Sequence, residues 1–239
     1  MISIIVPTRN EEKIIRTTLS SLKKQLTLDY ELIVSDGEST DNTILIAHEF
    51  TDLVVSRDPA APKNIAQGRN AGAHIARGEF LVFLDADCTI KNADYFFTHA
   101  LKQFEDSRVV ALAAPLNVLP ELATYTDRVI ESIIQANLVV VNNLLHTGGA
   151  QGEFQMVRAS EFKKIGGYNE RLVVCEDLDL FKRLARRGRT VFDTSLTVYH
   201  TGRRAHAIGW PHLLYLWFAN QISVAIRGKA YSKEWEPLR

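Results

Sequence analysis

Two aspartates, Asp85 and Asp87, stand one residue apart directly after the apolar run FLVFL. Carboxylate oxygens are hard ligands that suit Mg²⁺ or Mn²⁺, and these cations keep open positions for the phosphates of a substrate. A charge at the end of a buried strand is costly unless it is paired or bound to metal. The pair therefore predicts a divalent cation site for a phosphorylated ligand, with a plain exit from strand to turn as the alternative.

Asp36 is a second acidic residue that follows an apolar run, ELIVS. A carboxylate in this position can accept a hydrogen bond from a nucleobase N–H or a ribose hydroxyl. Ser39, Thr40 and Asp41 already offer caps for the helix that comes next, which leaves Asp36 without an evident structural task. We therefore interpret Asp36 as a ligand contact.

Glu176 and Asp177 open a helical segment, EDLDLFKRLARRG. Acidic residues in the first turn of a helix are favoured by its dipole, which is one explanation for the pair. A carboxylate within reach of an acceptor hydroxyl can also remove its proton as a general base. The local sequence leaves both interpretations open.

Four basic residues could contact phosphate or metal. Arg69, upstream of the aspartate pair, can reach a diphosphate, and Arg203 and Arg204 can bind a phosphate. His200 follows the strand-like run TVY and can serve as a third metal ligand, since imidazole suits Mn²⁺. For each of these residues an ordinary surface or structural role is the alternative.

The segments that must position these residues alternate between strand and helix patterns. The runs ISIIVP, ELIVS, DLVVS and GEFLVFL are apolar strands, and the stretches between them have helical periodicity. Such alternation predicts an α/β fold with a mainly parallel sheet covered by helices on both faces. Ligands bind at the carboxyl ends of such strands, so PTRNEE, SDGESTD and DADC should converge on one crevice.

The second half of the chain has a less regular pattern. VVALAAP, FQMV and TVFD predict further strands, and TYTDRVIESIIQANLVVVNNLL and GWPHLLYLWFANQISVAIRG predict long apolar helices. We predict one domain over residues 1–239, with a nucleotide-binding half at 1–114 and an acceptor-binding half at 115–239.

Composition narrows the class of protein. The chain has 28 basic and 28 acidic residues, and this balance gives no reason to expect a nucleic acid partner. Cys88 and Cys175 form no disulfide framework, which favours a reducing compartment. The N-terminal segment is too polar for a signal peptide, and no stretch is apolar enough for a membrane span. We expect a cytoplasmic protein, with attachment to the cytoplasmic face of a membrane as an alternative.

Taken in order, five segments resemble the family 2 glycosyltransferases of the GT-A fold. They are SIIVPTRNEEKIIRTTLSSL, ELIVSDGESTDNT, GRNAGAHIARGEFLVFLDAD, FQMVRASEFKKIGGYNERLVVCEDLDLFKRLARRG and TVYHTGRR. The resemblance runs from Ser3 to about Arg204 and implies a nucleotide-diphospho-sugar transferase with Mn²⁺ or Mg²⁺ as cofactor. Its implied reaction is an inverting transfer of one sugar from a nucleoside diphosphate sugar to an acceptor hydroxyl.

The resemblance implies donor contacts at five positions. Pro7, Thr8 and Glu11 would line the nucleoside pocket. Asp36 would bind the base, and Arg69 would lie beside the nucleotide.

It also implies the metal and catalytic positions. Asp85 would contact the ribose or the hydration shell of the metal, and Asp87 would bind the metal, to which His200 is the candidate third ligand. Asp177 would be the catalytic base, supported by Glu176.

Two departures from the family pattern limit what the resemblance implies. Ser35 replaces the first acid of the common DDGS turn and Glu38 follows its glycine, which leaves uridine and guanosine as alternative bases. The QxxRW motif of processive polymerases is replaced by TGRRAHAIGW, which favours a single transfer per event.

Other interpretations stay open at this level. FLVFLDADCT also fits the motif of haloacid-dehalogenase-like phosphatases, with Asp85 as nucleophile, and an inactive nucleotide-sugar-binding module is a third hypothesis. The sequence does not identify the acceptor, for which a glycan and a lipid-linked molecule are the hypotheses. The C-terminal apolar helix contacts a membrane, a second subunit or its own domain.

Overall fold

The computed structural model describes residues 1–56 and 64–232. The strands in these ranges are β1 (Ile2–Thr8), β2 (Tyr30–Asp36), β3 (Val54–Ser56), β4 (Phe80–Leu84), β5 (Val109–Ala113), β6 (Leu116–Val118), β7 (Phe154–Arg158), β8 (Arg189–Phe192) and β9 (Val198–His200). The α-helices are α1 (Ile15–Gln25), α2 (Thr43–His48), α3 (Ile65–Ile75), α4 (Ala93–Gln103), α5 (Tyr125–Val139), α6 (Ala159–Lys164), α7 (Glu176–Ala185), α8 (Arg203–Ile208) and α9 (Trp210–Arg227).

Seven strands form the central sheet, in the order β3-β2-β1-β4-β7-β5-β8. The first four pair in parallel, and β5 pairs with β8 in parallel. The mainly parallel sheet flanked by helices that the sequence predicts is confirmed. The exception is β7, which runs antiparallel to both β4 and β5. Because of this reversal, the residues just before β7 lie at the same edge as those just after β4.

Apolar residues on both faces explain the continuous hydrophobic runs of the central strands. Alternate side chains of one strand point to opposite faces. Ile4 of β1 and Val82 of β4 belong to the core beneath α1 and α4, whereas Ile5 and Phe83 belong to the core beneath α3, α5 and α7. A strand buried on both sides keeps no polar face, so the sequence shows no alternation.

Helix α3 packs unusually close to β1. A Cβ added at Gly72 would lie 2.4 Å from Cγ2 of Ile5, so only glycine allows this approach. Arg69 is one turn earlier on the same helix and is carried by it toward the carboxyl edge of the sheet. The close packing at this glycine therefore helps to position the Arg69 side chain.

The structure differs from the sequence prediction in several helices. The first helix begins at Ile15 rather than at the preceding acidic residues, and the long apolar helix α5 ends as a π-helical segment, Val140–Leu144. Three helices were not predicted from the sequence: α4, α6 and α8. Strands β6 and β9 form a separate two-stranded parallel sheet. Among the described residues, no helix has the length and apolarity needed to cross a bilayer.

Candidate active site

A cavity of about 860 Å³ opens at the carboxyl edge of the sheet. Residues that follow β1 and β4 line it together with the start of α7 and the segment around α8. The side chains from the sequence prediction that line this cavity are Pro7, Thr8, Glu11, Arg69, Asp85, Asp87, Glu176, Asp177 and His200. The structure thus brings all but one of the predicted residues to the wall of a single cavity.

The exception is Asp36, which is 1% exposed and lies behind the cavity wall, although its neighbours Ser35 and Gly37 line the cavity. Oδ2 of Asp36 accepts hydrogen bonds from the backbone N–H groups of Glu38 and Ser39, at 2.9 and 3.0 Å. Asp36 therefore has the structural task that the sequence did not reveal, since it closes the turn after β2.

Two buried polar atoms at this edge have no hydrogen-bond partner within the described part of the chain. They are Oδ1 of Asp36 and Oγ1 of Thr8, on residues that pair directly across β1 and β2. Buried polar groups are nearly always paired, so such atoms call for a partner that the chain does not supply. They fit a polar ligand at this corner of the site.

Arg69 is the most consequential buried charge in the site. Its side chain is 1% exposed, and Nη2 donates to Oδ1 of Asp85 at 3.0 Å and to the carbonyl of Gly152 at 2.7 Å. Nη1 donates to Oε1 of Glu176 at 2.8 Å, and the guanidinium lies 5.4 Å from the ring centre of Tyr168. Arg69 is therefore not a surface residue: it joins the end of β4, the segment before β7 and the start of α7.

The aspartate pair lies in a crowded acidic environment. The pKa of Asp85 is raised to about 7 overall. Burial is the largest cause, and the charges of Glu153 and Asp87 act in the same direction, whereas Arg69 lowers the pKa. Oδ2 of Asp87 accepts a hydrogen bond from Thr201 at 2.7 Å and lies 3.2 Å from Nε of Arg203. Carboxylates placed this close together repel one another, and a divalent cation would offset that repulsion, so Asp85 and Asp87 fit such a cofactor.

Arg203 connects the start of α8 with the segments that follow β1 and β4. Its two terminal nitrogens each donate to one oxygen of Glu11, both at 2.9 Å, in addition to the contact with Asp87. A bidentate guanidinium–carboxylate pair is among the stronger ion pairs. In this structure Arg203 therefore neutralises acidic residues rather than displaying its charge to solvent.

His200 has partners other than the aspartates. Nε2 lies 3.4 Å from Oε1 of Glu131, and Nδ1 accepts from the backbone N–H of Gly202 at 3.2 Å. Burial lowers the pKa of His200, but the hydrogen bond with Glu131 and nearby acidic charges outweigh it and raise the pKa overall. Across residues 1–56 and 64–232, no three His, Cys, Asp or Glu side chains are grouped as a metal site. The expected trio with Asp85 and Asp87 is thus not assembled here, because Glu131 engages the imidazole.

Glu176 and Asp177 occupy different environments at the start of α7. Glu176 is buried against Arg69, whereas Asp177 lies beside Gly152, whose added Cβ would be 3.7 Å from Oδ2 of Asp177. The pKa of Asp177 is raised to about 8 overall, mainly by burial and in addition by the charge of Glu176. A carboxyl with a pKa near neutral pH is suited to accept a proton and to release it again.

Several site residues were not identified from the sequence. The segment Gly148–Glu153 lines the cavity, and the carbonyl of Glu153 accepts from the backbone N–H of Asp85 at 3.0 Å. Glu131, Thr201 and Tyr168 contact predicted site residues. The glycine-rich run TGGAQGEF was the one visible signal, because glycines cluster where backbone approaches a ligand or another chain segment closely.

The position of β4 bears on the phosphatase hypothesis. β4 is the fourth strand of the chain and lies between β1 and β7 in the sheet, and Asp85 is ion-paired with Arg69. A nucleophilic aspartate of that class would follow the first strand of its domain. The geometry gives no observation in favour of that hypothesis.

Comparison with known proteins gives a consistent family. The family model described as Glycosyl transferase family 2 matches residues 3–166. The chain is 36% identical to the PGL/p-HBAD biosynthesis glycosyltransferase of Mycobacterium tuberculosis over 99 residues, which are 39% of this chain and 38% of that protein. It is 38% identical over 90 residues to the UDP-Glc:alpha-D-GlcNAc-diphosphoundecaprenol beta-1,3-glucosyltransferase WfgD of Escherichia coli, covering 36% of this chain and 35% of that protein.

A solved structure gives the fold. The mannosyltransferase PcManGT from Pyrobaculum calidifontis, in complex with GDP-Man and Mn²⁺, superposes with a TM-score of 0.73 at 21% identity. The likeness covers 96% of this chain and 65% of that chain. It confirms the GT-A fold that the sequence predicts. The chain spans well under half the length of the two sequence relatives described above.

Replacing Arg69 tests its role in joining the two halves of the site. An Arg69→Met change leaves Asp85 and Glu176 buried without their cation, which should lower the free energy of unfolding by about 3–5 kcal/mol. Urea denaturation measures this change. The matched control is Arg108→Met, because Arg108 also pairs with an acid, Asp106, but is exposed. We expect little change there, and equal losses for both variants would contradict the role given to Arg69.

Proposed function

Because the chain belongs to glycosyl transferase family 2, we propose that it transfers one sugar from a nucleoside diphosphate sugar to an acceptor hydroxyl. The observation that carries the proposal is the position of the Arg69 guanidinium, which contacts one member of the Asp85/Asp87 pair and one member of the Glu176/Asp177 pair. Arg69 contacts Asp85 at 3.0 Å on the donor side and Glu176 at 2.8 Å on the acceptor side. This contact holds the aspartate pair and Asp177 in one cavity, as a direct displacement between donor and acceptor requires.

The donor is proposed to lie along the edge of β1, β2 and β4. Pro7, Thr8 and Glu11 would line its nucleoside, and the unpaired Oδ1 of Asp36 is a candidate acceptor for a base N–H. Relatives differ in the nucleotide: PcManGT was solved with GDP-Man, and WfgD is named for UDP-Glc. The base and the sugar of this chain's donor are therefore the first quantities to measure.

Mn²⁺ or Mg²⁺ is the proposed cofactor, with Asp87 and Asp85 as its protein ligands. When bound, a divalent cation would offset the charge that develops on the departing diphosphate. His200 remains a proposed third ligand only if it exchanges Glu131 for the metal. Arg203, which now contacts Asp87, has the charge and planarity to bind diphosphate oxygens directly.

Asp177 is the proposed base. Its carboxylate would take the proton from the acceptor hydroxyl while that oxygen attacks the anomeric carbon opposite the leaving diphosphate, which inverts the anomeric centre. Glu176, fixed by Arg69, would orient the first turn of α7 and raise the proton affinity of Asp177. Residues 115–232 would bind the acceptor, and a single transfer per event is proposed because the chain carries TGRRAHAIGW where processive relatives have QxxRW.

A thermal-shift panel identifies the donor. Nucleoside diphosphate sugars carrying uridine or guanosine are tested with and without Mn²⁺, and we expect one to raise the melting temperature only when the metal is present. Saturation at about a hundredfold over Kd contributes about 2.7 kcal/mol, which such a scan resolves. Asp87→Asn should remove the metal-dependent part. The donor site proposed here would be wrong if every nucleotide sugar left the melting temperature unchanged.

Asp177→Asn separates proton abstraction from donor binding. The amide keeps the shape of the side chain but is not a base, so turnover should fall by at least about a hundredfold while the donor-induced thermal shift stays. Asp179→Asn is the matched control, because Asp179 lies on the same helix and pairs with Arg183 instead. Full turnover of Asp177→Asn would refute its assignment as base.

The rate should depend on pH through Asp177. Its pKa is raised to about 8 in the structure, and the protonated carboxyl cannot accept a proton, so the rate is lost as pH falls. We expect kcat/KM at saturating metal to rise about tenfold per pH unit below that value and then level off. Glu176→Gln removes a neighbouring negative charge and should move this limb to lower pH. An unchanged limb in that variant would show that another group titrates.

A further inference from the structure

Helices α5 and α9 present a continuous apolar surface to solvent. They pack against each other through Ile130 and Ile134 of α5 and Trp210, Leu213 and Trp217 of α9. Their outward sides remain apolar: the exposed residues are Tyr125, Val129 and Ile133 on α5, Val140, Leu144 and Leu145 in and beside the π-helical segment, and Leu214, Tyr215, Phe218, Ile222 and Ile226 on α9. Phe218 is 66% exposed and Ile226 is 78% exposed. Large contiguous patches of this kind mark interaction surfaces.

The spacing on α9 makes one stripe of these side chains. Positions 214, 218, 222 and 226 recur every four residues, and residues at that spacing lie on one side of a helix. Leu213 and Trp217 precede Leu214 and Phe218 by one residue, about 100° around the helix, and contact α5 from this neighbouring side. The helix therefore has one apolar side packed within the protein and a neighbouring apolar side in contact with solvent, where it is available to an apolar partner surface.

This surface displays no carboxylate among its described side chains. Asp127 and Glu131, the two acids of α5, are buried and engage His206 and His200. From residue 200 to residue 232 the chain has no Asp or Glu at all. The exposed charges are basic, at Arg128, Arg227 and Lys229. Among the described residues, the exposed acid nearest in sequence is Glu121, in the turn before α5.

Such segregation is unexpected in a chain of zero net charge. Acidic and basic residues are equal in number overall, yet the exposed charges that the described residues place on this apolar surface are all positive. Apolar side chains flanked by Arg and Lys match the two attractions of an anionic bilayer, which are its acyl boundary and its negative surface potential. A second protein subunit would need no such bias of sign.

We propose that the outward faces of α5 and α9 dock on an anionic lipid bilayer, with α9 lying along its surface. Ile133, Leu214 and Phe218 belong both to this face and to the rim of the catalytic cavity. Docking therefore turns the mouth of the cavity toward the lipid. For the transfer proposed above, the acceptor would be an amphiphile presented from the bilayer, and this consequence alone rests on the proposed function.

Vesicle cosedimentation tests the docking surface without donor or metal. The full chain is mixed with vesicles of phosphatidylcholine and phosphatidylglycerol, and in parallel with vesicles of phosphatidylcholine alone. We expect binding to the anionic vesicles that weakens as salt increases, and much weaker binding to the neutral ones. Equal binding to both compositions, or no binding, overturns the proposal. Because no substrate is present, this outcome is independent of whether the transferase activity is found.

Paired variants locate the binding surface. Ile222→Ser with Ile226→Ser removes two exposed side chains that lie away from the catalytic residues and should lower the partition coefficient at least about tenfold. Its control is Leu45→Ser, which changes a leucine on α2 whose 68% exposure lies between those of Ile222 and Ile226. Arg227→Glu with Lys229→Glu should weaken binding by a similar factor, whereas Lys24→Glu with Lys102→Glu, on α1 and α4, should not. Circular dichroism confirms that each variant is folded.

Equal losses in the control variants would overturn the proposal, since binding would then not depend on this face. Sedimentation velocity without vesicles tests the alternative that a second copy of the chain, rather than a bilayer, covers this face. A concentration-dependent dimer that the Ile222→Ser, Ile226→Ser variant disperses would assign the face to a second copy of the chain, and would also overturn the proposal. A monomer at all concentrations that binds anionic vesicles through these residues supports it.

Discussion

The ion pairs of Arg69 are the constraint on which the site depends. Moving a guanidinium out of water costs several kcal/mol, and Arg69 is 1% exposed. Its position is stable only if every contact is present: Asp85 from β4, the Gly152 carbonyl before β7, and Glu176 from α7. These segments come from distant parts of the sequence. The fold must therefore bring these three segments together before this charge can be buried.

One guanidinium does not neutralise the acids around it. Asp85, Asp87, Glu153, Glu176 and Asp177 contribute five carboxylates to the cavity, and the pKa values of Asp85 and Asp177 stay raised in spite of Arg69. Arg203 adds positive charge to the same cavity through its contacts with Glu11 and Asp87. An excess of negative charge costs stability in the ligand-free protein, and functional sites are where such a cost is retained. A cation would relieve it on the donor side, and proton uptake would relieve it at Asp177.

Much of the first half of this arrangement was predictable from local pattern. Apolar strands alternating with amphipathic helices specify a parallel sheet, and the carboxyl edge of such a sheet is where the ligand residues meet. The direction of β7 was not predictable, because FQMV has the same apolar character whether it runs parallel or antiparallel. Nor was the burial of Arg69, since no local feature of GRNAGA indicates that the partners lie 16 and 107 residues away. Asp36 was recognised as special, but its closure of the turn depends on the positive φ of Glu38, which the sequence does not display.

The segment from His200 to His206 links the charges in the cavity to the charges of α5. His200 and His206 bind Glu131 and Asp127, which are four residues apart and so lie on the same side of α5. Arg203, between the histidines, reaches Glu11 and Asp87 across the cavity. The acids of α5 are thus drawn inward as partners of His200 and His206, and this leaves the outward side of the helix without negative charge. The apolar, basic character of the exposed face then follows from the same contacts that close the cavity, because a carboxylate engaged inside is not available to repel an anionic surface outside.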